Sequence, residues 1–283
     1  HKPFLVIADY LARHGIASLR CDDRGIAKST GSFIGSTSAD FANDAQAAVE
    51  FLRGRPGIAS NSVGIIGHSE GGMIAPMVAA RSKDVAFIVL LAGPGLPGDS
   101  ILLLQGALIA KAGGAPQAAI DQSMYVNRRM FDVIKTVHDS AAAADSLRAL
   151  SARMVETVPP AQQKQAAGSL AGAEKQLLDP WMRYFVTYDP RPALRNVHVP
   201  VLALDGSLDL QVPPEADLAS IDAALKRAGN KDYKIVELPK LNHLFQTATT
   251  GAPAEYAAIS ETFSPVALDI IATWITQHTT GKR

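Results

Sequence analysis

The sequence predicts an α/β fold: a mostly parallel β-sheet flanked by helices, carrying an α-helical insertion. Three observations lead there. Short, wholly apolar runs of strand length alternate with amphipathic helical stretches in the first third of the chain, and again in the last. Strands that are apolar throughout suit a parallel sheet covered on both faces. Between residues 97 and 194 the alternation stops and only helical periodicity remains.

The elements follow in order. Phe4, Ile7 and Leu11 are spaced for one helix face, and Gly15 stops that helix. Residues 16–20 make a short β-like run. Residues 38–52 read as a helix with Phe41, Ala45, Ala48, Val49 and Leu52 on one stripe, opened by Thr37 and Asp40 as a capping box. A strand at 62–66, a helix at 71–81 and a fully apolar strand at 85–92 complete the first part. In the middle, Ile120, Met124, Phe131 and Ile134 fall at helical spacing, and Ala-rich segments sit among Gln, Lys and Arg. Alternation resumes with a strand at 199–204, a helix near 214–228 and a strand at 234–238. A last helix, 265–277, has Val266, Ile270, Ile271, Trp274 and Ile275 as its apolar face. This divides the chain into a core, residues 1–96 and 195–283, and a helical cap, residues 97–194.

Composition narrows the function. Of 283 residues, 47% are hydrophobic and 19% charged, a globular balance that excludes a disordered chain. Lys plus Arg and Asp plus Glu both number 27, and no basic stripe appears, so no nucleic-acid partner is expected. A single cysteine, Cys21, excludes an internal disulfide framework and a Cys-based zinc cluster. No apolar stretch reaches the roughly 18–20 residues a bilayer span needs, so stable membrane insertion is not expected. The chain opens on His1-Lys2-Pro3, which reads as the lead-in to a helix already under way, so a segment missing upstream is expected. Localisation and oligomeric state are not legible.

The strongest local signal is Gly67-His68-Ser69-Glu70-Gly71, a G-x-S-x-G pattern. The pentapeptide alone is weak, because chance produces it in ordinary chains. Its setting, after a strand and before a helix, strengthens it. A sharp strand-to-helix turn presents the serine hydroxyl above the sheet, and the flanking glycines are expected to avoid clashes there. The helix start adds positive potential and the Glu70 backbone N–H, both suited to an oxyanion.

A serine nucleophile needs a base, and the base needs an orienting acid. The expected chain order in such an architecture is Ser, acid, His, each at the carboxyl end of a strand. Asp209 follows the strand at 199–204, and His243 follows the strand at 234–238. Asp205 is the rival acid, with a structural role bonding turn amides as its plainer reading. Among other histidines, His198 precedes its strand, His14 and His138 suit helix surfaces, and His278 is expected just after the last helix. His68 is too near Ser69 in sequence to serve readily as its base. The loop from Asp22 to Gly31 lacks the spacing of a phosphate loop and reads as held by an Asp–Arg ion pair. No metal site and no cofactor are expected. Trp181, Tyr184, Phe185 and Tyr188 cluster before the core resumes; Trp181 and Phe185 are the candidates for lining a substrate pocket.

These residues resemble the α/β-hydrolase superfamily. The elbow, the Gly206-Ser207-Leu208-Asp209-Leu210-Gln211-Val212-Pro213-Pro214 stretch and Leu241-Asn242-His243 carry the likeness. The Asp23-Arg24-Gly25 to Ser29-Thr30-Gly31 loop and the Gly-His-Ser-Glu-Gly-Gly elbow are similar to its bacterial esterase, lysophospholipase and serine-aminopeptidase-like branch. The resemblance implies Ser69 as nucleophile, Asp209 as acid and His243 as base. It also implies further strands before the first helix, one of whose loops would donate a second oxyanion N–H. Ala27 departs from the pattern, standing where that loop often has a second glycine.

The leading expectation is a serine hydrolase that cleaves small carboxylic esters through an acyl-enzyme. An aminopeptidase or other amide hydrolase, or an acyltransferase, would use the same three residues. Acidic side chains such as Glu70 or Asp99 could then meet a free amine. A non-enzymatic ligand binder on the same fold is the remaining class, disfavoured by the intact Ser, Asp, His order.

Overall fold

The computed structural model of the protein describes residues 1–279. Helix α1 (Pro3–Arg13) comes first, then α2 (Ser38–Arg53), β1 (Ile65–His68), α3 (Glu70–Ala79) and β2 (Ile88–Leu91). Six helices follow: α4 (Gly98–Ala112), α5 (Gln117–Thr136), α6 (Ser140–Glu156), α7 (Pro160–Leu177), α8 (Pro180–Thr187) and the short α9 (Arg191–Leu194). The core resumes with β3 (Val201–Gly206), α10 (Pro214–Arg227), β4 (Tyr233–Leu238) and α11 (Pro265–Thr279).

The four strands form one parallel sheet in the order β1-β2-β3-β4. Alternation along β2 and β3 sorts their side chains to two faces. Val89, Leu91, Leu202 and Leu204 meet Ile7 and Leu11 of α1 and Leu268, Ile271 and Ile275 of α11. Ile88, Leu90, Val201 and Ala203 meet Val49 of α2, Ala75 and Val78 of α3, and Leu218, Ile221 and Leu225 of α10. Every residue of β2 and β3 is buried, which explains their unbroken apolar reading. The inserted helices have a cluster of their own, built on Met130, Phe131, Ile134, Leu147, Leu150, Leu177, Met182 and Val186. No helix among the described residues is long and apolar enough to cross a membrane.

Several expectations need correction. Residues 16–20 form no strand: Ile16 gives its N–H to the Leu11 carbonyl, closing α1, and residues 17–20 are exposed. β-propensity makes a strand only where a ladder partner takes its backbone groups. These residues instead line a groove of about 630 Å³ along the unpaired edge of β1, with Ile7, Leu11 and Phe87; Ser69, Asp209 and His243 do not line it. The strand expected at 62–66 begins later, because residues Ser60–Ser62 make a 3-10 turn. Phe4, placed on the buried face of α1, is 50% exposed, and His278 lies inside α11 rather than after it. It caps its own last turn on the Trp274 carbonyl and bonds Asp232.

The capping pair at α2 forms as its spacing suggests, Asp40 accepting both the N–H and the O–H of Thr37. Arg24 does hold the loop before α2 by an ion pair, but its partner is Asp44 of α2, with both contacts at 2.7 Å, and not the neighbouring aspartates. Ala27 takes φ 47°, the left-handed region glycine enters without strain, so the loop keeps the shape its usual glycine would allow.

Candidate active site

The elbow lies at the carboxyl end of β1. Ser69 is the N-cap of α3, with φ 54° and ψ −120°, and its N–H reaches the Leu91 carbonyl of β2 at 2.9 Å. A non-glycine residue held there carries roughly 1–3 kcal/mol of backbone strain, sustained by the sheet on one side and the helix on the other. Gly67 makes the turn possible: a Cβ at this position would stand 1.9 Å from the Gly71 carbonyl oxygen. Gly71 itself has open space where a Cβ would point, so only the first of the two flanking glycines is demanded by packing. Glu70 supplies the first N–H of α3, a group the helix leaves without an internal partner.

Two loops at the same edge of the sheet carry the other candidates. After β3, the Asp209 carboxylate is oriented on both sides: Oδ1 accepts the N–H groups of Gln211 (2.7 Å) and Val212 (2.9 Å), and Oδ2 accepts Nδ1–H of His243 at 2.7 Å. Both side chains are buried. The loops approach closely because Gly206 has no side chain; a Cβ there would meet the Leu241 carbonyl oxygen at 2.2 Å. His243 therefore pairs with Asp209 and not with Asp205.

Asp205 is fully buried at the end of β3. Its Oδ1 accepts the Gly206 N–H at 2.7 Å, the turn-amide role considered for it, while Oδ2 has no donor. Burial first, then the neighbouring Asp209 charge, push its pKa well above the ordinary carboxylate value. Asp217 is similar. Burial raises it to about 7, although Oδ1 accepts the N–H groups of Gly95 and Leu96.

His68 and Asn242, given no catalytic role from sequence, and Trp181, a pocket candidate, build the rest. His68, set aside as a base, donates Nε2–H to the backbone carbonyl of His243 at 2.8 Å, and the two rings lie 4.9 Å apart. This bond ties the elbow directly to the histidine loop. Asn242, fully buried, turns that loop by accepting the N–H groups of Leu244 and Gln246 on Oδ1 and giving Nδ2–H to the Gln246 side chain. An Asn at the start of a tight turn was the available signal. Trp181 reaches the elbow, its indole N–H donating to Glu70 Oε1 at 2.8 Å, and it stacks on Phe185 with centroids 5.6 Å apart.

Burial, and then the proximity of His243, lower the His68 pKa to about 4. The unfolded chain binds this proton below about 6.5, whereas the folded chain refuses it until about 4. Stability is therefore lost as pH falls through this window, by up to about 3 kcal/mol. Asp205 and Asp217 work in the opposite sense, because their folded forms hold a proton the unfolded chain has released. The comparison that isolates His68 is urea unfolding of wild type and His68→Gln from pH 7 to 4. The wild-type stability should drop by about 3 kcal/mol more across that range, and parallel curves would rule out a buried neutral imidazole.

A parallel sheet between helical layers, with a positive-φ serine between strand and helix, is the α/β-hydrolase fold. The chain belongs to the serine aminopeptidase, S33, family, whose pattern matches residues 3–171, more than half of its length. Esterase EstD of Thermotoga maritima is 24% identical over 280 residues, covering 97% of this chain and 57% of that protein. The chain thus spans little more than half the length of that curated relative. Among solved structures, the α/β hydrolase GrgF from Penicillium sp. sh18 matches with a TM-score of 0.59 at 17% identity, over 97% of this chain and 84% of that one. A Paleococcus ferrophilus monoacylglycerol lipase matches at 0.54 and 16% identity, over 97% and 88%. At such identities these two likenesses carry the fold alone.

Proposed function

We propose that the protein is a carboxylic-ester hydrolase in which Ser69, His243 and Asp209 act as nucleophile, base and acid. The observation that carries this reading is the buried His243–Asp209 hydrogen bond at the edge of the sheet that bears Ser69, with His68 of the elbow fastened to the His243 backbone. In this reading Ser69 Oγ attacks the ester carbonyl while His243 Nε2 takes its proton. Asp209 holds Nδ1–H, fixing the tautomer and stabilising the imidazolium. The Glu70 N–H donates to the developing oxyanion at the start of α3. His243 returns the proton to the departing alcohol; water, activated by His243, then releases the acid from Ser69. Trp181 and Phe185 are read as lining the acyl pocket of a small apolar ester. Similarity to a protein named esterase supports esters as the substrate class.

The family's description favours one second reading, an aminopeptidase using the same residues on an amide. Hydrolysis of a chromogenic acyl-ester series, acetyl to dodecanoyl, beside aminoacyl arylamides separates the two. The ester series should be turned over with an optimum chain length, and the arylamides far more slowly. Turnover of arylamides alone by the folded protein would replace this reading with the second.

A further inference from the structure

We propose that the Glu70 side chain is a latch that holds the helical insertion against the nucleophile elbow through Trp181, and so acts as a positioning residue. Its kinetic consequence rests on the ester-hydrolase reading above; its structural consequence does not. A single oxygen, Glu70 Oε1, accepts Trp181 Nε1–H at 2.8 Å and Ser38 Oγ–H at 2.6 Å. The carboxylate therefore joins the starts of α2 and α3 to α8.

Both ends of this tie are stiff. Ser38 is fully buried as the first residue of α2, directly after the Thr37–Asp40 pair that closes the helix start. On the other side, Asp179 caps α8 by accepting the N–H groups of Trp181 and Met182, and Phe185 stacks on the indole. The Phe185 carbonyl lies against the start of α4 so closely that a Cβ on Gly98 would come within 1.8 Å of it. The indole is held against α8 by the Phe185 stack. An indole N–H in a partly buried setting needs an acceptor, and a carboxylate is the strong one. The same Glu70 carries the backbone N–H assigned to the oxyanion, so the latch sets the insertion's position relative to the reacting carbonyl.

Three variants test this. Trp181→Phe keeps an aromatic ring on Phe185 and removes the donor; Glu70→Ala removes the acceptor; Glu70→Gln keeps an amide oxygen able to accept both bonds. Loss of one charge-assisted bond corresponds to about tenfold. Amide hydrogen exchange in α8 should quicken by about that factor in Trp181→Phe and Glu70→Ala, with no further gain in the double variant. Glu70→Gln should restore slow exchange. In the same two variants KM should rise about tenfold for octanoyl esters and by a smaller factor for acetyl esters. Unchanged α8 exchange in the folded variants would overturn the latch. A KM rise equal for acetyl and octanoyl esters, with a lowered Tm, would reduce Glu70 to a general structural residue and also overturn it. If Glu70→Ala does not fold, Trp181→Phe decides alone. If wild type turns over no ester, the ester reading falls while the exchange experiment still decides the latch.

Discussion

Ser69→Ala should abolish ester turnover, with kcat falling by about 10⁴- to 10⁶-fold, and should leave the fold intact. The two effects separate because of the backbone. Ser69 sits at φ 54°, a conformation strained by any Cβ, and alanine carries the same Cβ as serine. The strain is therefore already present in the wild type, and only the hydroxyl is lost. Its Oγ caps no helix amide, so no buried donor is orphaned by the change. The experiment is steady-state hydrolysis of a chromogenic ester together with thermal unfolding. Undiminished kcat with an unchanged Tm would exclude Ser69 as nucleophile. Asp209→Asn makes a companion variant. Two amides, from Gln211 and Val212, demand an oxygen on one side of the side chain, so the new NH₂ must face His243. That forces the proton from Nδ1 to Nε2, where it blocks acceptance from Ser69, and a loss of about 10⁴ in kcat follows.

Gly67→Ala is expected to cost about 3 kcal/mol or more, lowering Tm by about 10 °C or preventing folding. The added Cβ would lie 1.9 Å from the Gly71 oxygen, 2.2 Å from its carbonyl carbon and 2.8 Å from the Gly72 nitrogen. All three are backbone atoms of the first turn of α3, and no rotamer change relieves them. Relief requires pulling α3 away from β1, which would uncover the packing of Ala75 and Val78 beneath it. Gly71→Ala is the control. Nothing lies near its Cβ position, and alanine is favoured over glycine inside a helix by up to about 1 kcal/mol. Stability should therefore be unchanged or slightly raised. Equal destabilisation by the two substitutions in thermal unfolding would refute this account of the elbow.

Much of the core was legible because its signals are local. The apolar runs at β2 and β3, the periodicity of α2, that of α11 apart from Val266, expected on its apolar face but 62% exposed, and the Thr37–Asp40 pair involve residues within a turn or two of one another. The run at residues 16–20 misled for the complementary reason: strand propensity is local, but a ladder partner is not. The candidate site divides in the same way. The G-x-S-x-G turn, and the positions of Asp209 and His243 after strands, could be read from order and spacing.

What the chain determined by itself was the parallel alternation, the elbow and the Ser, Asp, His order, since each follows from short-range pattern and turn chemistry. The tertiary structure decided that His243 meets Asp209 while Asp205 lies fully buried at the end of β3, bonded to the Gly206 N–H. It also decided that His68 holds a carbonyl 175 residues away and that Trp181 reaches a carboxylate 111 residues away. No periodicity encodes such pairings. They exist because close backbone approach at Gly67 and Gly206, and burial that leaves each polar group few partners, bring distant loops to one edge of the sheet.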